Sequence, residues 1–94
     1  MRLAGKEINA IRAEVAAIDP EGVVYLFGSR TDDSGKGGDI DLFLEASANL
    51  DFEQTLRLEA RIASLCDTKV DLLVKSPNDA ELPIHRIAKK GVRL

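Results

Sequence analysis

Three short runs constrain this chain more than any other feature: Val23-Val24-Tyr25-Leu26-Phe27, Asp39-Ile40-Asp41-Leu42-Phe43-Leu44-Glu45 and Lys69-Val70-Asp71-Leu72-Leu73-Val74. Each is short, rich in β-branched, aliphatic or aromatic residues and set off by polar or turn-forming residues, so each reads as a strand. Around them apolar residues recur at helical spacing. Ile8, Ile11, Val15 and Ile18 predict an amphipathic helix over about 3–18, ended by Asp19-Pro20-Glu21-Gly22. Phe52, Leu56, Leu58, Ile62, Ala63 and Leu65 predict a second over 51–66, with Asp51 and Gln54 as a capping box and Glu59, inside the apolar stripe, paired with a neighbouring arginine. Ser76-Pro77-Asn78-Asp79 looks like a helix start. Pro83 delays the regular helix to about Leu82, from where it runs to Lys90 before Gly91 as its cap, and Val92-Arg93-Leu94 adds an edge strand. The resulting order, α-β-loop-β-α-β-α, makes an α/β (α+β) chain with one small domain over 1–94.

Composition narrows the classes. With 45% hydrophobic and 31% charged residues the chain is neither disordered nor membrane-spanning, and no apolar run approaches a bilayer's thickness. Lys6, Glu7, Arg12 and Glu14 interrupt the first residues, so no secretory signal is expected and the location expected is cytoplasmic. The single cysteine, Cys66, offers no disulfide and no cysteine-based metal cluster and is expected to be a small buried hydrophobe. A net charge of −3 argues against a sequence-independent grip on nucleic acid, so no direct nucleic-acid partner is expected. The basic tail, His85 to Arg93, suits the end of a helix dipole or a face turned to an anion or a partner, with His85 expected at the surface or a helix terminus.

The stretch between the first two strands, FGSRTDDSGKGGDIDL, is too polar for a core and too punctuated for a helix. It is not a phosphate loop of the GxxxxGK type, since Arg30 stands where the first glycine belongs and Gly37 follows Lys36. It is not a dinucleotide fingerprint, because Ile40 stands where the third glycine belongs, nor a calcium loop, because the fifth position from Asp39 is Phe43. On a strand, however, Asp39 and Asp41 share a face with Cα atoms ~6.6 Å apart, close enough to lean onto a hard cation such as Mg²⁺. Without a cation such a pair repels, by roughly 4 kcal/mol at ~4 Å and an effective dielectric of 20. If the strand carrying Asp71 lies alongside, three carboxylates can serve two metals ~3.5–4 Å apart, the arrangement that stabilises both oxygens of a phosphoryl or nucleotidyl transfer. Gly28 and Ser29 end the preceding strand where backbone N–H groups and a hydroxyl can hold phosphate, and Arg30 adds a fixed cation.

Leu26-Phe27-Gly28-Ser29-Arg30, Gly37-Gly38-Asp39-Ile40-Asp41-Leu42, Val70-Asp71-Leu72-Leu73 and the closing Ile87-Ala88-Lys89-Lys90-Gly91-Val92 together resemble the minimal nucleotidyltransferases (MNT) of the DNA polymerase beta superfamily, over nearly the whole chain. The resemblance implies a mixed sheet of three to four strands flanked by helices, and transfer of a nucleoside monophosphate, AMP from ATP foremost, to a hydroxyl. It implies Asp39 and Asp41 as ligands of both metals (Mg²⁺, with Mn²⁺ as substitute), Asp71 completing the first site and helping to activate the acceptor, and Gly28 and Ser29 holding the β- and γ-phosphates. Such stand-alone proteins often act as antitoxins beside an all-helical HEPN-type toxin, in some cases by adenylylating it. The chain departs from the pattern in a nine-residue spacer (30 to 38) and in Thr31-Asp32-Asp33 after the arginine, with fewer loop cations for a triphosphate. A catalytically silent antitoxin that occludes its partner is the alternative, and modification of a small molecule a third reading; self-association stays open.

Overall fold

The computed structural model describes residues 3–31 and 38–94; residues 32–37, the middle of the polar stretch, read from the sequence as mainly a turn, lie outside them. The described chain runs α1 (Gly5–Ile18), β1 (Val23–Phe27), a single 3-10 turn (Gly28–Thr31), β2 (Ile40–Glu45), α2 (Phe52–Cys66), β3 (Val70–Lys75), α3 (Pro83–Lys89) and β4 (Val92–Arg93). Four strands form one mixed sheet in the order β3-β2-β1-β4. β1 pairs antiparallel with both β2 and β4, and the α2 crossover makes β3 parallel to β2, so the expected small mixed sheet is present.

The period-2 alternation divides the sheet into two faces. Ile40, Leu42 and Leu44 of β2 point with Val24, Leu26 and Val70 into a core closed by Ile11 and Val15 of α1 and Leu58 and Ile62 of α2. The opposite face carries Tyr25, Asp41, Phe43 and Asp71, and α3 covers only part of it. There Phe43, fully buried, is stacked between Tyr25 (ring centroids 5.9 Å apart) and His85 (5.4 Å). The half-face beyond Phe43, toward the start of β2, holds the aspartates.

Local chemistry fixes the ends of these elements. Asp51 Oδ1 accepts from the Gln54 N–H (2.7 Å) and Gln54 Oε1 from the Asp51 N–H (2.9 Å), the capping box expected from sequence. Asp19, just past α1 and buried, accepts from the Ser47 N–H (2.7 Å) and from the Ser47 hydroxyl, tying the end of α1 to the end of β2. Gly91 follows α3 because a Cβ there would overlap the Leu26 carbonyl oxygen; its need is close approach to β1.

Several expectations change. Ser76-Pro77-Asn78-Asp79 starts no helix. It is a turn in which the Asp79 carboxylate accepts from the Ser76 N–H (2.9 Å) and the Ser76 carbonyl from the Asp79 N–H (3.0 Å). Glu59, expected to pair with an arginine, has its Oε2 accepting from the Leu72 N–H of β3 (2.8 Å). His85 lies at a helix terminus as expected, but buried, its Nδ1 accepting from the Leu82 N–H (2.9 Å) at the start of α3. Cys66 is half-buried at the edge of the core, where desolvation raises its thiol pKa. Lys89 of the basic tail is committed to Glu45 (2.8 Å) and Glu81 (3.6 Å).

Candidate functional site

The site forms where β1 ends and β2 begins. Gly28 takes φ +75, the left-handed conformation glycine adopts without steric cost, and turns the chain out of β1 into the 3-10 turn, which Thr31 closes by donating its hydroxyl to the Gly28 carbonyl (2.7 Å). The chain re-enters at Gly38, with φ +94, and Arg30 Nε donates to the Gly38 carbonyl (3.2 Å), joining the two ends of the loop. Phe27 faces Asp41 in the β1–β2 register. The Asp41 carboxylate lies directly on Gly28: a Cβ there would overlap Oδ2 and stand 3.0 Å from Cγ. Glycine is therefore required at this position twice over, by conformation and by space. Ser29 lies within the 3-10 turn.

Asp71 sits beside Asp41 in the parallel register, one strand over at ~4.8 Å spacing, and Asp39 lies two residues before Asp41 on the same face. The structure thus brings the three aspartates and Gly28 to one end of three adjacent strands. Asp41 is half-buried and Asp39 and Asp71 are exposed. Burial raises the Asp41 pKa above the ordinary carboxylate value, and the charges of Asp71 and Asp39 push it further, against an opposing pull from Lys69. Lys69 Nζ lies 3.6 Å from Asp39 Oδ2. Sequence reading missed this lysine; its signal was the position two residues before Asp71, on the same strand face.

Among the described residues no three His, Cys, Asp or Glu side chains are gathered tightly enough to hold a metal ion by themselves. The donor set still fits a hard divalent cation of the Mg²⁺ class, which takes one or two carboxylates and fills its shell with water and substrate phosphate. Asp41, half-buried between two like charges, has the character of a group completed by a cation. Among the described residues no helix is long and apolar enough to cross a membrane.

Comparison with known proteins gives this geometry a family. A mutant MntA-HpeT toxin-antitoxin complex contains a chain that superposes with a TM-score of 0.73 at 26% identity, over 93% of this chain and 69% of that one. A tri-AMPylated Shewanella oneidensis HEPN toxin in complex with an MNT antitoxin matches at TM-score 0.69 and 26% identity, over 90% of this chain and 65% of that one. A toxin-antitoxin structure with AMP-PNP matches at TM-score 0.63 and 31% identity, over 70% of this chain and 55% of that one. The chain thus spans between 52% and 69% of the chains it resembles. No curated protein matches the sequence significantly. The model of the family described as polymerase beta, nucleotidyltransferase matches residues 8–94, and the chain belongs to that family as a minimal nucleotidyltransferase.

Proposed function

We propose that this chain moves a nucleoside monophosphate, AMP from ATP, onto a hydroxyl of a HEPN-type partner protein, as the antitoxin of a toxin pair. The observation that carries this reading is that Gly28, just past β1, and Asp41 and Asp71 on the neighbouring strands lie side by side. The nucleotide and the partner are carried over from the neighbours, one solved with AMP-PNP and another with an AMPylated HEPN toxin.

In this reading Asp39 and Asp41 hold the divalent cation, Mg²⁺ or Mn²⁺, and Asp71 completes the set. When bound, the cation neutralises charge on the α-phosphate and the departing pyrophosphate. The backbone N–H groups at Gly28 and Ser29 orient the β- and γ-phosphates, with Arg30 beside them. Asp71 takes the proton of the acceptor hydroxyl as its oxygen bonds to the α-phosphorus and the bond to the bridging oxygen of pyrophosphate breaks.

The test is transfer from α-labelled ATP, with Mg²⁺, to a purified HEPN-type protein, the class of partner seen with the neighbours. Label should appear on the partner and vanish with Asp39→Asn plus Asp41→Asn; no label, or label undiminished in that variant, refutes the reading. A silent occluding antitoxin is the second reading. Occlusion predicts that the double variant still neutralises its partner.

A further inference from the structure

Taking the transfer reaction above as the frame, we propose that the groove between β3 and α3 seats the segment of the acceptor protein that carries the receiving hydroxyl. The occupant is a segment with an apolar side chain and a neighbouring cation.

Direction follows from the order of strands. Displacement at phosphorus places the attacking and leaving oxygens roughly in line, on opposite sides. With the β- and γ-phosphates over Gly28, just past β1, and the reacting phosphorus at Asp39 and Asp41, at the start of β2, pyrophosphate departs toward β1. The hydroxyl must then enter from the side of β3, past Asp71.

A groove of about 560 Å³ lies on that side, lined by Leu73, Asn78, Asp79, Leu82 and His85 among others. Leu73 follows Asp71 by two residues on the same strand face, ~6.6 Å further along, so the groove begins one side chain beyond Asp71 on that face. One wall is rigid: His85 is 4% exposed, stacked on Phe43 and held by the Leu82 N–H. The rim is left apolar, with Leu82 52% exposed. Charge selects the companion residue. Asp79 in the lining and Asp71 on the same strand face as Leu73 make this side acidic, which favours a segment bearing Lys or Arg and disfavours an acidic one.

The assay uses the full chain, ATP, Mg²⁺ and the same partner. Leu82→Arg removes the apolar rim and repels the cation; Leu82→Ser removes only the apolar contact. Ile87→Arg makes the same charge change on the outer face of α3, where Ile87 is 60% exposed and away from the groove. Leu82→Arg should raise KM for the partner by about tenfold or more, with kcat at saturation and KM for ATP unchanged, Leu82→Ser by less, and Ile87→Arg not at all. Equal KM values for wild type and Leu82→Arg, or an equal rise with Ile87→Arg, overturn the assignment. If wild type transfers no label, the reaction reading fails on its own and the groove is judged by equilibrium binding of the same partner. Binding weakened by Leu82→Arg and not by Ile87→Arg supports it; binding equal in all three overturns it.

Discussion

Replacing Gly28 by alanine probes fold and site together. Gly28 has φ +75, and a residue with a Cβ in the left-handed region carries about 1–2 kcal/mol of strain. The added methyl also lands on the Asp41 carboxylate, overlapping Oδ2 and crowding Cγ at 3.0 Å, so Asp41 must rotate away or the loop must shift, at about 1–3 kcal/mol as for other overpacked sites. The sum, about 2–5 kcal/mol, is a large share of the ~5–15 kcal/mol expected for a small domain, yet leaves most such domains folded. Urea denaturation at neutral pH measures it, and a double-mutant cycle with Asp41→Ala separates the parts. Alanine at 41 removes the carboxylate and leaves only its Cβ, 3.2 Å away. In that background Gly28→Ala should cost only the conformational ~1–2 kcal/mol, giving a coupling of about 1–3 kcal/mol. A cost below about 1 kcal/mol, or the same cost in both backgrounds, would refute the claim that glycine is kept at 28 to make room for Asp41.

Two further substitutions test the electrostatics and the frame. Burial, Asp71 and Asp39 raise the Asp41 pKa, so Asp41 favours the folded state when protonated, and that contribution is lost as pH rises from the unfolded value of 3.8 through the raised folded one. Asp41→Asn should therefore raise Tm relative to wild type at pH 7 and bring no gain below pH 3.8, as read by thermal melts without divalent cation; a lower Tm at pH 7 contradicts the repulsion. Asp19→Ala strands the Ser47 N–H and hydroxyl that a buried carboxylate now accepts from, and should cost about 3 kcal/mol in urea denaturation, with Asp19→Asn recovering part of it.

Much of this arrangement is legible in the sequence because it is written in local periods. Alternation in Asp39 to Glu45 puts Asp39 and Asp41 on one face, and Asp51 with Gln54 announces the start of α2; both signals act over a few residues. The neighbour of each strand is written nowhere so compact. That Asp71 falls beside Asp41 depends on the α2 crossover placing β3 parallel to β2, which the spacing allows and does not compel. His85 illustrates the limit. Its burial depends on Phe43, 42 residues earlier, presenting a ring on the far face of the sheet, and a histidine in a basic tail gives no sign of that. Glu59 misleads for a related reason, since its partner is a backbone amide, and every residue has one.

That bond from the Leu72 N–H to Glu59 bears on how the domain meets other chains. β3 is an outer strand of the sheet, and its outward amides are where an extended segment of another protein would add itself as a fifth strand. A carboxylate lowered from α2 occupies one such amide at the strand's middle, level with the aspartates. Lateral growth of the sheet is discouraged beside the aspartates. In the proposed reaction the partner would approach by its side chains, over the open face.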